Sequence, residues 1–390
     1  MTCKKRNALL VAVFVIIVVG AALVVYGPFS RSLSNPGSAK TQAVPAAPAG
    51  DLSGTWEGAL QVQNARLRLV LNVTKADDGA YRATLDSIDQ GAKGIPVNEV
   101  NFSNGTVHVQ LSALGAAFDG QLSPSGIDLD GEWQQAGTVF PLTFQRTTKP
   151  STVAAPLSAA VYTRRADVPL QGWWQGTLQV RNVPLRILFK ISAVTPKSYQ
   201  GTLDSLDQGG RNIQITSIDQ ADSIVRIGVG SVDGHFEGTF NQDKEEIDGT
   251  WTQGAMNLPL ALRRVEPKDE QPVPASAYAF ISDTELQGVW QGVLEVRGTK
   301  LQLVVKVAKA ADGTYQASMD SPDQGVSDIP ATSVKFKGTD VEVEWKSLQA
   351  LYHGQLEGGK LVGFWQQGAV DSPLDLVRTN RSRPPSAAKN

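Results

Sequence analysis

One stretch of roughly a hundred residues is written three times in this chain, and that repetition constrains the fold more than anything else in it. Each copy opens on Gly-x-Trp, at Trp56, Trp174 and Trp290. Each continues through Asp-Ser-x-Asp-Gln-Gly, starting at Asp86, Asp204 and Asp320. Each closes near a second tryptophan, Trp133, Trp251 or Trp365, with Pro141, Pro259 or Pro373 behind it. A solenoid unit runs about 20–50 residues. These copies are about twice that, so each is expected to be a domain with its own core. Positions held in all three copies serve what every copy needs, the fold or a shared function.

The rest of the 390 residues divides around the copies. Residues 1–30 read as a cytoplasmic start and a transmembrane anchor, and 31–50 as a flexible linker rich in Pro, Ala, Gly and Ser. Copies at 51–149, 169–266 and 285–380 are separated by proline-bearing linkers at 150–168 and 267–284, and 381–390 is a polar tail expected to be disordered. Residues 8–25 carry no charge and approach the length that spans about 30 Å of hydrocarbon. Lys4, Lys5 and Arg6 precede the run, which predicts a cytoplasmic N-terminus. The competing reading is a cleaved signal peptide, whose apolar region is about 7–15 residues with a small-residue cleavage site close behind. This run is longer and no such site directly follows it. The expectation is therefore an uncleaved single-pass anchor in the cell (inner) membrane, with the copies extracytoplasmic. The only cysteine, Cys3, precedes the run, so no disulfide forms within the copies. A formal net charge of −2 argues against nucleic acid as a partner.

Period two dominates every copy. In residues 55–63, Trp56, Gly58, Leu60 and Val62 share one face, and Leu67, Leu69, Leu71 and Val73 do so in the next run. Tyr81, Ala83 and Leu85 mark a third strand. Five more runs follow near 95–102, 106–111, 116–122, 127–134 and 138–146, separated mostly by Gly, Asn or Asp. No helical period appears. The fold class expected is all-β: three tandem antiparallel β-barrels of about eight strands each. Closure removes the strand edges, although a two-sheet sandwich would keep the same faces. Val70, Leu188 and Val304 stand outward on the second strand of each copy, which points to contact with a neighbouring domain or partner. Pro-rich borders lead us to expect copies that share little core and fold independently.

Gly-x-Trp opens the first strand, and a basic residue, Arg146, Arg264 or Arg378, ends the last. With these residues each copy resembles the calycins, the superfamily of lipocalins, fatty-acid-binding proteins and avidins, although it is shorter than a lipocalin. The resemblance implies that Trp56, Trp174 and Trp290 close one end of each barrel and that Arg146, Arg264 and Arg378 pack on them. A guanidinium lies well over an indole face at a wet barrel end. The whole copy is also similar to the small β-domain that precedes α/β-hydrolase domains in some bacterial proteins. That activity does not carry over, because the chain has no G-x-S-x-G elbow.

The most tempting site is the acidic segment, with Asp86, Asp89 and Gly91, then Asp204, Asp207 and Gly209, then Asp320, Asp323 and Gly325. Paired carboxylates suit a hard cation, but Ca²⁺ needs about 6–8 oxygens and no EF-hand spacing is present. The favoured reading is a tight turn at a barrel rim, where Asp and Ser satisfy backbone amides and Gly takes positive φ. His108, His235 and His353 occupy non-equivalent positions, so no shared metal site is expected. No nucleophile stands beside a base in every copy. We therefore expect no catalysis, no cofactor and no metal. Two functions remain open: an anchored binding or interaction scaffold with filled barrels, or a carrier of lipophilic small molecules with a pocket in each barrel. The partners these imply are the membrane through the N-terminal helix, and an apolar ligand or a protein.

Overall fold

A computed structural model describes residues 50–379 apart from 63–64, 154, 156, 269–273, 297 and 369. The expected anchor and most of the stalk before the first copy, together with the tail, lie outside the described residues. Among those described, no helix is long and apolar enough to cross a membrane.

The first copy forms nine strands: β1 Gly54–Val62, β2 Ala65–Lys75, β3 Tyr81–Ser87, β4 Ala92–Pro96, β5 Glu99–Ser103, β6 Thr106–Leu111, β7 Ala116–Leu122, β8 Asp128–Gln135 and β9 Thr138–Arg146. Each pairs antiparallel with its chain neighbour, and β9 returns to pair with β1. Only β4 and β5 are not hydrogen-bonded to each other, so the sheet curls into an up-and-down barrel with one seam. The expected count of about eight is corrected to nine. The run at 95–102 breaks between Pro96 and Glu99, because proline has no N–H for the ladder and Val97 turns its own amide to Ala83. The second copy repeats this sheet, and the third does so with its last strand split at Pro373 into Val370–Pro373 and Leu376–Arg378. The three sheets are tandem β-barrels.

The period-two faces point inward as the side chains dictate. Trp56, Leu60, Leu69, Leu71, Leu85, Val109, Phe118, Leu129, Trp133 and Phe144 form one continuous cluster. Equivalent clusters surround Trp174, Phe189, Phe236 and Trp251 in the second barrel, and Trp290, Trp345, Tyr352 and Trp365 in the third. Inside the third barrel there is a cavity of only about 10 Å³, lined by Leu286, Val305, Val343, Trp345, Tyr352 and Trp365. A probe-sphere volume of about 10–15 Å³ holds one water at most. Aromatic rings are packed at the centre of all three clusters.

The barrels do not stand apart. The loop after β3 seats on the fourth strand of the second barrel, Gly210–Gln214. The corresponding loop of the second barrel seats on Val326–Pro330 of the third, and that of the third on β4 of the first. The short 3₁₀ turns follow the same cycle. Gly230–Val232 packs on β2, Lys346–Leu348 on the second strand of barrel two (Val183–Thr195), and Ser112–Leu114 on that of barrel three (Thr299–Lys309). Three equivalent junctions therefore close head to tail. Each barrel has its own core, as expected, but each is also docked on both sides, which the sequence reading did not foresee. Val70 and Leu188, apolar and outward, are buried on the second strands that take part in these junctions.

Linkers add to the docking. Ala159–Tyr162 lies on the second strand of barrel two and sets Tyr162 edge-on to Trp173, with centroids 5.9 Å apart. Trp173 faces away from the barrel interior, yet it is covered. Beneath it Lys190 pairs with Asp204 at 2.6 Å, both buried. The same position in barrel three pairs Lys306 with Asp320 at 2.9 Å and Asp328 at 2.6 Å. Desolvation works to lower the Lys306 pKa, but the two carboxylates outweigh it and hold the ammonium above its ordinary value.

Candidate functional site

At the end where the chain enters each barrel, an arginine from the last strand lies over the first tryptophan. The guanidinium carbon is 4.1 Å from the ring centroid in all three pairs, Arg146–Trp56, Arg264–Trp174 and Arg378–Trp290. The register produces this: Trp56 and Arg146 face each other across β1 and β9, and the other pairs do likewise. The fork then donates to carbonyls of the incoming chain. Arg146 bonds Asp51 and Ser53, with its Nε on the Gly126 carbonyl between β7 and β8, and Arg264 bonds Pro169 and Gln171. Arg378 bonds Glu285 and Gln287. Each indole N–H donates to the carbonyl four residues back, Leu52, Leu170 or Leu286, at 2.8–3.0 Å. Gly54 is required here, because at φ +135° a Cβ would sit 2.6 Å from an Arg146 nitrogen. Burial pushes the Arg146 and Arg264 pKa values down, but an arginine stays charged. This end is a structural clasp, with the indole N–H and the guanidinium ends turned to the fold's own carbonyls.

The acidic loop is likewise bonded into the fold, in the same pattern in all three copies. Asp86 accepts from the Gly94 amide at 2.7 Å, Asp204 from Asn212 and Asp320 from Asp328 at 2.8 Å. The intervening serine donates to the glutamine: Ser87 to Gln90, Ser205 to Gln208, Ser321 to Gln324. The second aspartate accepts from the backbone amide of the second strand, Asp89 from Arg68, Asp207 from Arg186, Asp323 from Gln302. Arg68 and Arg186 also fork onto Asp89 and Asp207, and those bonds raise both arginine pKa values. Gln302 leaves Asp323 without that fork.

The final glycine makes the junction. Gly91, Gly209 and Gly325 have φ of 66–72°. A Cβ on Gly91 would overlap the Arg211 carbonyl oxygen. On Gly209 it would lie 2.8 Å from the Ser327 carbonyl oxygen, and on Gly325 2.9 Å from the Ile95 side chain. Hydrogen bonds reinforce two of the contacts: the Gln214 backbone N–H donates to the Asp89 carbonyl at 3.4 Å, and the Gln324 side chain donates to the Ala113 carbonyl at 3.4 Å. The loop sits at a barrel rim, but it is a docking element between barrels rather than an open turn.

Sequence reading passed over Gln135, Gln253 and Gln367, which follow the second tryptophan by two residues in every copy. Each accepts from the indole N–H and donates to the last carbonyl of the docking 3₁₀ turn, Leu114, Val232 or Leu348. The Trp-x-Gln pattern was the available signal. The histidines fall apart as their positions imply: His108 bonds Asp119 at 2.6 Å and His353 stacks on Phe364. Among the described residues, no three His, Cys, Asp or Glu side chains are grouped to hold a metal ion.

No family model matches the chain, and no curated protein matches it. Among solved structures it is similar to a putative outer membrane protein from Bacteroides fragilis, at 14% identity over 56% of this chain and 99% of the other, with a TM-score of 0.18. A protein of unknown function from the DUF3598 family of Nostoc punctiforme matches at 10% identity over 84% of this chain and 96% of the other, TM-score 0.16. The transferrin binding protein B of Neisseria meningitidis matches at 8% identity over 83% and 66%, TM-score 0.16. Scores this low leave function to be argued from the chain itself.

Proposed function

We propose that this protein is a non-catalytic interaction scaffold, held at the cell membrane by residues 8–25 and carrying its three barrels outside the cytoplasm. The observation that carries the reading is the filled interior. Trp56, Phe118 and Phe144 occupy the first barrel, Trp174, Phe189 and Trp251 the second, and the third holds a cavity of only about 10 Å³. Binding to a partner then falls to the outer faces, which the ring holds in fixed relation. The arginine-over-tryptophan clasp supports kinship with the calycins, in a version whose barrel is a core rather than a container. Catalysis finds no support in the repeated residues, because the carboxylates and serine of the acidic loop are bonded within the fold.

Native mass spectrometry of the full chain released gently from detergent tests this reading. The expected result is the bare chain mass. A lipid or other apolar molecule retained at up to three per chain would replace the scaffold with the carrier. Saturable Ca²⁺ or Zn²⁺ binding, lost on Asp86→Ala, Asp204→Ala and Asp320→Ala together, would instead make the acidic loop functional.

A further inference from the structure

The three junctions are alike in geometry but not in how they are secured. Barrels one and two are joined covalently by residues 150–168, and barrels two and three by 267–284. The docked turns Ala159–Tyr162 and Ala275–Tyr278 add contact to the barrels that follow them. No linker joins barrel three directly to barrel one. That junction rests on Gly325 and Gln324 against Ala92, Ile95 and Ala113, and on the Ser112–Leu114 turn. Its loop is also the one without the arginine fork, since Gln302 replaces Arg68 and Arg186.

An opened ring exposes a docking loop on barrel three and its complementary edge on barrel one. Both surfaces are present on every copy of the chain, and the same interface already operates twice within it. We propose that copies of this chain exchange their third-barrel loops. Barrel three of one chain docks on barrel one of a second, and the reverse contact closes a six-barrel dimer. Such a heterologous contact closes or propagates according to its rotation, and swapping keeps every native contact. The exchanged and unexchanged states contain the same junctions. Their balance is therefore set by concentration, against an effective concentration of about millimolar for a tethered loop. This proposal holds whatever partner the outer faces take.

The test mixes isotopically labelled and unlabelled full chain in detergent at about 1 mM, the range where tethered and free loops compete. Mixed dimers are expected by native mass spectrometry, with cross-links joining residues 319–325 of one isotope to 92–96 or 112–114 of the other. Gln302→Arg restores the fork and is expected to slow exchange roughly two- to fivefold, the range of a partly exposed ion pair, while leaving the final dimer fraction unchanged. Gly325→Ala places a Cβ 2.9 Å from the Ile95 side chain and is expected to weaken this junction and so lower the mixed-dimer fraction. Absence of mixed dimers at several times that concentration overturns the proposal. So does a mixed-dimer fraction undiminished by Gly325→Ala, or a cross-link map that falls elsewhere, such as on residues 8–25.

Discussion

Gly91 and Gly94 lie three residues apart and share a φ of 70°, but only one of them faces another barrel. An added methyl group at Gly94 meets nothing within 4 Å, whereas at Gly91 it meets the Arg211 backbone carbonyl. Alanine in this left-handed conformation costs about 1–2 kcal/mol at either site. At Gly91 the junction must also move, and overpacking of a fixed contact adds about 1–3 kcal/mol. The unfolded-state gain from replacing glycine is common to both and cancels in the comparison. Hydrogen exchange read by mass spectrometry on the full chain isolates the difference. The reporter is the Gln214 amide, which donates to Asp89 across the junction. Gly91→Ala is expected to lower its protection about 5- to 150-fold, the equivalent of that added cost at 1.4 kcal/mol per decade. Gly94→Ala is expected to leave it unchanged, although both variants soften the loop itself. Equal protection of Gln214 in the two variants would refute the claim that the repeated loop seats on the next barrel.

Three further outcomes follow from single side chains. Tyr352 occupies the place of Phe118 and Phe236, and its buried hydroxyl has no partner among the described residues, so Tyr352→Phe is expected to stabilise barrel three by about 1–2 kcal/mol in urea titration. Burial raises the Tyr352 pKa above its ordinary value, so the stability it allows is complete below about pH 10 and falls as pH rises past that point; the phenylalanine variant is expected to lose this alkaline decline. Lys190→Met leaves Asp204 buried without its cation and is expected to cost about 3–5 kcal/mol, while replacing both partners with apolar residues is expected to recover most of it. Arg146→Lys keeps the charge but loses the planar fork over Trp56, and a loss of about 2 kcal/mol is expected in the melting of barrel one, against about 3–5 kcal/mol for Trp56→Ala.

Much of the barrel was legible because its signals are local. Alternation at Trp56, Gly58 and Leu60 gives β1 its faces, and the spacing from Gly54 to Arg146 gives the clasp its two ends. The break that makes two strands of residues 95–102 was marked by Pro96 and Asn98, but a short strand with one proline at its end reads as one run. The ring was not legible. A loop of Asp, Ser, Gln and Gly satisfies its own amides in the same way whether it faces water or a neighbour. The partner of Gly91 is Arg211, over a hundred residues away, and nothing periodic in the sequence encodes that pairing. The one trace was the outward apolar residue of the second strand, Val70 or Leu188, which is buried rather than exposed.

Repetition within one chain also redirects the search for a partner site. What all three copies keep is used by the fold: tryptophan and arginine in the clasp, Trp-x-Gln behind the docking turn, the acidic loop in the junction. A partner that distinguishes one barrel from another must read outward positions where the copies differ. Four such positions lie together on adjacent strands of barrel three. Val293 stands where the other copies have Ala59 and Thr177, and Val362 replaces Asp130 and Asp248. Phe364 replaces Glu132 and Thr250, and Val377 replaces Gln145 and Arg263. All four are more than 40% exposed, although the other two barrels, with alanine or polar residues there, have equivalent strands and packed cores of their own. Folding therefore does not require these apolar side chains, and their exposure works against solubility. The difference between barrel three and its two siblings lies on the surface, and it is there that the third copy departs from the scaffold all three share.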